Sequence, residues 1–367
     1  MFARFAIKVS DNLEQSPVEA APPDSAIAKA KAAIIRSGDF IVGLDIGTSK
    51  VCAIVGERLP DDTIKVLGVG QAPSLGVRSG EVVDSEAAGK CVTEALIDAE
   101  RRSDVAIGST HLAVFGGHSV HGLGSRAANS VRCVEKLDIE VQDVVLRPLA
   151  SAQAVLDPDQ KNLGALVVDM GAGTSSYIVF ADRKIKGWGT RGVGGNNITH
   201  DLSLALRIPM ARAEKLKKGG VWLGQPMAGR RIVPDDESGF ACKEVEREMI
   251  NTIIRCRVRA TFARMKAHIE TKGVQLESLG AGVHLTGGCS MLRGIDHLAQ
   301  EIFGIPAHFT RAKGIMWTEG ALKNPQYSCA LGLLKFGALR TDSSSYEYPG
   351  RRYFWVILPP SRLADQP

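Results

Sequence analysis

Two stretches of this chain end an apolar run in an aspartate and follow it at once with a glycine-bearing polar turn. They are Ile41-Val42-Gly43-Leu44-Asp45 leading into Gly47-Thr48-Ser49-Lys50, and Leu166-Val167-Val168-Asp169 leading into Gly171-Ala172-Gly173-Thr174. A turn of this kind arranges backbone N–H groups around a concavity, and its glycines let a ligand come close to the main chain. The chemistry that suits it is phosphate capture, with the aspartate attracting a hydrated Mg2+ ion. One Asp-x-Gly turn is a common loop and decides nothing. Two of them with a third turn, Thr286-Gly287-Gly288, form a set. Facing turns grip the phosphates of a nucleotide from both sides, Mg2+ is shared between Asp45 and Asp169, and the glycine pair lies flat against adenine or ribose.

The elements that must position these turns follow from periodicity. Residues 41–45 and 51–55 read as the strands of one hairpin, residues 166–170 and 175–180 as those of a second, which implies an internal duplication. A third strand is expected at 64–69 and another at 111–115. Val92, Ala95, Leu96 and Ala99 recur at helical spacing within 85–102. A long helix is expected over 243–272, its apolar stripe formed by Ile250, Ile254, Val258, Phe262, Met265 and Ile269. A strand ends at Leu285, and a helix restarts over 294–303.

Composition narrows the class. At 367 residues, 44% apolar and 5% aromatic, the chain has material for two domains or one bilobed domain. Lys and Arg number 45 against 40 Asp and Glu, a net charge of +5 spread along the chain, so no nucleic-acid partner is expected. The seven cysteines lie far apart in sequence, which fits neither a zinc site nor a disulfide framework and points to a reducing compartment. No uncharged apolar run approaches a membrane span, and residues 1–10 lack the features of a signal peptide, so a cytoplasmic place is expected, with attachment to a membrane surface left open.

The order of first phosphate turn, second phosphate turn and nucleoside turn resembles the actin, hexokinase and heat-shock chaperone superfamily of ATP-binding proteins. Within it the sequence is most similar to the FtsA family of bacterial cell-division proteins. The similarity is carried by residues 41–51, Gly76-Val77-Arg78-Ser79-Gly80-Glu81-Val82-Val83-Asp84, Val193-Gly194-Gly195-Asn196-Asn197-Ile198-Thr199-His200-Asp201, Ala213-Glu214-Lys215-Leu216-Lys217, Val283-His284-Leu285-Thr286-Gly287-Gly288 and Ala330-Leu331-Gly332-Leu333-Leu334, and it covers about 40–339. The resemblance implies an α/β, two-lobed actin-like (ribonuclease H-like) ATPase fold with duplicated mixed sheets. Residues 1–38 form a disordered leader, 39–180 the first lobe, with 110–132 a remnant of the family's inserted subdomain 1C, and 181–320 the second lobe (2A/2B). Residues 321–340 are expected as a helix returning to the first lobe, and 341–367 as a linker and candidate membrane-targeting tail.

The implied cofactors are ATP and Mg2+. Gly47, Thr48, Ser49 and Lys50 match the first phosphate loop, and Asp169, Gly171, Gly173 and Thr174 the second. Gly194 and Gly195 belong with the cofactor-binding set. Glu214 and Lys217 match the pair flanking ribose and adenine, and Gly287, Gly288 and Met291 the adenosine turn; Asp45 and Asp169 hold Mg2+ through water. For Lys217 a solvated helix charge is the plainer alternative. The implied partners are the C-terminal peptide of the tubulin-like protein FtsZ, further copies of the chain, and an anionic membrane surface at the division site.

The chain also departs from the family. Arg147 stands where relatives carry an acidic residue before Pro148-Leu149-Ala150-Ser151, and a guanidinium cannot accept a proton from an attacking water, so weak or absent ATPase activity is expected. Gln153 and Asp169 are the remaining catalytic candidates. Residues 119–129 read as a short Gly/Ser-rich link where most of 1C is missing, with the core pattern resuming at 131–145. The tail offers Arg351-Arg352-Tyr353-Phe354-Trp355-Val356-Ile357-Leu358, suited equally to an interfacial anchor and to a strand docked on the protein's own surface. His118 and His121 read as loop histidines rather than ligands. Arg255, Arg257, Arg259 and Arg264 read first as a solvated helix face, second as a dock for an acidic peptide. Rival functions are a pilus-assembly type of actin-like scaffold and, further off, a small-molecule kinase, which lacks a visible catalytic carboxylate.

Overall fold

The computed structural model describes residues 40–115, 125–219, 222–223, 231–232, 245–316 and 323–341. The expected leader, His118, His121 and the 351–358 tail lie outside the described residues. Strand β1 (Phe40–Ile46) turns into β2 (Lys50–Arg58) with Ile46 opposite Val51, and β3 (Ile64–Pro73) extends the meander. Two short strands, β4 (Val77–Arg78) and β5 (Glu81–Val82), form a small hairpin before helix α1 (Ser85–Ser103). The Asp84 carboxylate caps α1 by accepting from the Glu86 and Ala87 amides, and Asp104 ends it in the left-handed region. Next come β6 (Ser109–Val114), α2 (Ser125–Glu135) and β7 (Glu140–Leu146), with β6 parallel to both β1 and β7.

Helices α3 (Arg147–Val155) and α4 (Pro158–Leu163) lead to the second hairpin, β8 (Ala165–Met170) and β9 (Ser175–Ala181), extended by β10 (Lys184–Arg191). Then follow α5 (Gly195–Leu206), α6 (Met210–Lys218), the paired β11 (Arg231–Ile232) and β12 (Val245–Glu246), and α7 (Arg247–Glu270). The chain closes with β13 (Val283–Thr286), α8 (Ile295–Phe303), β14 (Ala307–Phe309), β15 (Ile315–Met316) and α9 (Ser328–Thr341). One mixed sheet has the order β15-β3-β2-β1-β6-β7, the other β10-β9-β8-β13-β14. Each begins with a meander and continues with parallel strands, so the duplication expected from the two hairpins extends to whole sheets.

Side chains alternate across each strand, and the two faces feed different cores. On β2, Val51, Ala53 and Val55 pack with α1 and α2, while Cys52 and Ile54 turn the other way. On β8, Leu166, Val168 and Met170 pack with α5, α7 and α8, while Ala165 and Val167 face the same central core as Cys52 and Ile54. That central core holds α3 and α9 and is shared by both sheets. Helix α9 is buried over most of its surface, with Ala330, Leu331, Leu333, Leu334 and Phe336 all buried and Lys335 half-buried, as suits a helix between two layers.

Two expectations shift. Residues 125–129, read as link, open α2, because Ala127, Val131 and Val134 fall at helical spacing and bury in the core of α1. The described part of 110–132 thus forms most of β6 and the start of a packed helix. The long helix begins at Arg247 rather than 243, and all six residues of its expected stripe are buried.

Helices α3 and α9 approach so closely that a Cβ at Gly332 would overlap the Ala150 carbonyl. Gly332→Ala is therefore expected to destabilise the fold by about 2–3 kcal/mol or more. Gly108→Ala, where a Cβ meets nothing within 4 Å, stays within roughly 0.5 kcal/mol, both read by urea unfolding. His284 on β13 is buried against Thr310 and the Ala281 carbonyl, and burial pushes its pKa down to about 4. The unfolded chain binds that proton more readily, so stability falls as pH drops from about 6.5 towards 4. His284→Asn should flatten part of that slope in pH-dependent unfolding.

Candidate functional site

The two glycine turns close in the same way. Gly47 N–H donates to Lys50 O at 3.0 Å, and Gly171 N–H to Thr174 O at 2.8 Å. Any side chain at 47 would stand 2.8 Å from the Lys50 carbonyl, which is why glycine is needed there. The aspartates match too: Asp45 pairs in register with Cys52, and Asp169 with Ser176. Among the described residues, the N–H groups of Thr48, Ser49, Ala172 and Gly173 have no hydrogen-bond acceptor. Four donors left open on two matched turns are groups that an anion could engage. The turns touch each other, since a Cβ at Gly173 would lie 2.7 Å from Thr48 Cβ.

The β4–β5 hairpin completes this corner. Gly80 N–H donates to Thr48 Oγ1 at 2.8 Å, and a Cβ at Gly80 would meet Phe115 at 2.9 Å and Thr174 at 3.0 Å. Gly80 has φ +78°. Sequence reasoning used this stretch only as a family marker. Its two glycines flanking Val77-Arg78-Ser79 were the available sign of a tight turn.

The carboxylates are held from one helix. Arg147, the first residue of α3, places Nη2 2.7 Å from Asp45 Oδ1 and donates to Ile46 O at 2.9 Å. Burial opposes its charge, but Asp45 raises its pKa further. Ser151, one helical turn on, donates to Asp169 Oδ2 at 2.5 Å. Burial pushes the Asp169 carboxyl up, against Ser151 and Arg147, which favour its ionised form. Cys329 also reaches Asp45, and burial together with that carboxylate keeps its thiol protonated. Gln153 points elsewhere, accepting from Lys161 at 2.6 Å, so Ser151 and not Gln153 faces the aspartates. The Arg147–Ser151 spacing was the signal for this. Lys50 leaves its turn: its ammonium lies 3.7 Å over the Tyr327 ring and 3.3 Å from Gln71 Oε1, and burial lowers its pKa.

A Mg2+ ion shared by Asp45 and Asp169 does not fit this arrangement. Each carboxylate already has a partner, and one partner is a fixed cation. Like unit charges 4 Å apart repel by roughly 4 kcal/mol at an effective dielectric near 20, and a divalent ion doubles that. Among the described residues, no group of three or more His, Cys, Asp or Glu could hold a metal.

On the nucleoside side, Gly195 and Asn196 at the start of α5 donate to Gly171 O and Ala172 O at 3.0 and 2.7 Å. A Cβ at Gly194 would stand 2.6 Å from both carbonyls, so Gly194 and Gly195 seat the second turn on α5. Lys217 is buried, not solvated, and pairs with Glu214 at 2.5 Å while donating to Gly195 O and Thr199 Oγ1. Burial works against the Glu214 charge, but Lys217 and Thr199 hold its carboxyl below the usual range. Gly287 has φ +83° and lies so near Asp169 that a Cβ would collide with Oδ1. Gly288 is open, with Gln326 3.9 Å from its Cβ direction, and Met291 is exposed. On α7, Arg257 forms a two-point pair with Asp201, and Arg255 and Arg259 both reach Glu301, so three of the four arginines tie α7 to α5 and α8. Arg264 is exposed.

The family described as Cell division protein FtsA matches residues 166–332. Curated relatives extend the match over both sheets: FtsA of Neisseria meningitidis serogroup B is 28% identical across 80% of this chain and 89% of its own, and FtsA of Pseudomonas aeruginosa is 27% identical across 88% and 95%. The chain is similar to the FtsA family of cell-division proteins over this span. The Neisseria alignment runs over 369 positions while engaging only 80% of this chain, so that FtsA has dozens of residues without a counterpart here. The fold recurs in solved actin-like structures. MreB5 of Spiroplasma citri bound to ADP gives a TM-score of 0.62 at 17% identity over 83% of this chain and 99% of that one. The PilM-PilN type IV pilus biogenesis complex gives 0.59 at 15% identity over 81% and 98%.

Within this FtsA relative, the Glu214–Lys217 pair is unequal. Glu214→Gln leaves a buried ammonium without a countercharge and is expected to cost about 2 kcal/mol. Lys217→Met leaves Glu214 beside Lys218 and water, and about 1 kcal/mol is expected. Urea unfolding of both variants checks the order.

Proposed function

We propose that this protein is an FtsA-type adaptor that binds ATP between its two sheets and links the FtsZ ring to the cytoplasmic face of the membrane at the division site. The observation that carries the nucleotide part is the set of four open N–H groups on two matched turns. The Gly287-Gly288 turn and the Glu214–Lys217 pair stand beside it, where a nucleoside belongs in such an arrangement. Thr48 and Ser49 cradle one side of the phosphates, Ala172 and Gly173 the other. A ligand contacting both turns favours one separation of the sheets over others, so occupancy rather than turnover sets the assembly-competent shape. Arg147 and Ser151 at the aspartates leave no general base for water, which supports weak or absent hydrolysis.

The division role rests on the family. The surface around α7, with exposed Met249 and Arg264, suits an acidic and apolar peptide such as the FtsZ C-terminus. The membrane link is assigned to residues 351–358, two arginines beside aromatic and aliphatic side chains. Among the described residues no helix is long and apolar enough to cross a membrane. The residues that relatives have and this chain lacks are assigned to the 1C insertion between β6 and α2, so self-association uses other surfaces.

Titration of the full chain with the C-terminal peptide of FtsZ from the same organism, with and without ATP, tests the role. Saturable binding that tightens with ATP is the expected result. No binding in either state removes the division adaptor reading and leaves a nucleotide-binding scaffold.

A further inference from the structure

Building on the nucleotide reading above, we infer that Arg147 is a resident cation of the cleft that takes the place of a divalent metal, so that this chain holds the phosphates of a nucleotide without Mg2+. The argument is one of position and valence. Arg147 sits at the start of α3 with only 11% of its side chain exposed, and one edge of its guanidinium is fixed by Asp45 Oδ1 at 2.7 Å and Ile46 O at 2.9 Å. Ile46 is the residue immediately before the first glycine turn. Nη1 stands 3.8 Å from the Cβ direction of Gly47, which puts the positive charge at the root of that turn.

The guanidinium is held but not saturated. Arg147 Nε is buried with no hydrogen-bond partner among the described residues. A buried donor left open in this way is costly, and a phosphate oxygen is the acceptor that guanidinium geometry favours. The four open backbone N–H groups belong to two turns that touch through Thr48 and Gly173, the first of which starts at Gly47 beside Nη1. Phosphate oxygens would therefore meet backbone donors from both sheets and one fixed positive charge, which is the electrostatic work a metal ion does at such sites. Asp45, the carboxylate that would attract a metal, is turned into the holder of that charge. A guanidinium cannot dissociate from the chain as an ion does, so the cation is present at any metal concentration.

Calorimetric titration of the full chain with ATP, once in Mg2+ and once in EDTA, tests this. The expected result is dissociation constants that agree within about threefold. Arg147→Gln should weaken binding in EDTA by about tenfold or more and regain part of it when Mg2+ is added. Arg147→Lys, which keeps the charge but not the fork, should fall between them in EDTA. Wild-type binding that weakens tenfold or more in EDTA, or Arg147→Gln binding as the wild type does in EDTA, overturns the inference and leaves the nucleotide reading intact. Failure to bind ATP in both buffers overturns both. The wild-type comparison decides even if Arg147→Gln does not fold, which thermal melting reports.

Discussion

The buried pair of Asp45 and Arg147 is the interaction on which the cleft depends. A carboxylate only 9% exposed at the end of β1 is costly to bury without a partner close by. Arg147 supplies that partner from the first residue of α3, whose first turn also carries Pro148. Ser151, one turn later, then meets Asp169 on the other sheet. A single helix thereby binds the matching aspartates of two duplicated hairpins. Removing one member of such a pair strands a buried charge at a cost of about 3–5 kcal/mol, whereas an apolar pair of the same volume can be as stable. What the pair contributes is therefore a defined geometry more than net stability.

The rest of the centre follows from that anchor. Helix α3 lies against α9, which reaches it through Gly332, and the two form the middle layer between sheets whose outer faces carry α1 and α2 on one side and α5, α7 and α8 on the other. Above this layer the turns meet, Thr48 against Gly173 and Gly80 against Thr174. The sheets thus touch through small side chains and glycines, groups that give way with little loss of packing.

Much of this could be read along the chain. The alternation of Val51, Ala53 and Val55 with Cys52 and Ile54 fixes a strand buried on both faces, and the repeat of strand, aspartate, glycine turn and strand fixes the duplication. The stripe from Ile250 to Ile269 fixes the long helix, although not its first residue. The α2 segment was missed because Ser, Arg, Ala and Asn at its start carry little apolar signal, and its helical state comes from burying Ala127, Val131 and Val134 against α1. For Lys217 a solvated charge stood as the alternative because its neighbours on α6 are charged. It is buried because α5 brings Gly195 O and Thr199 to it.

The sequence by itself determined the hairpins, their glycines and the two aspartates, since each depends on residues close together in the chain and on the backbone freedom that glycine confers. It also marked Arg147 as out of place for hydrolysis. Only the tertiary structure decided what that arginine does. Its partner is 102 positions away, Ser151 meets an aspartate on a different sheet, and Lys50 abandons its own turn for the Tyr327 ring. A side chain's partner is set by which surfaces fold against it, and the packing of two sheets around α3 and α9 is a property that no local pattern carries.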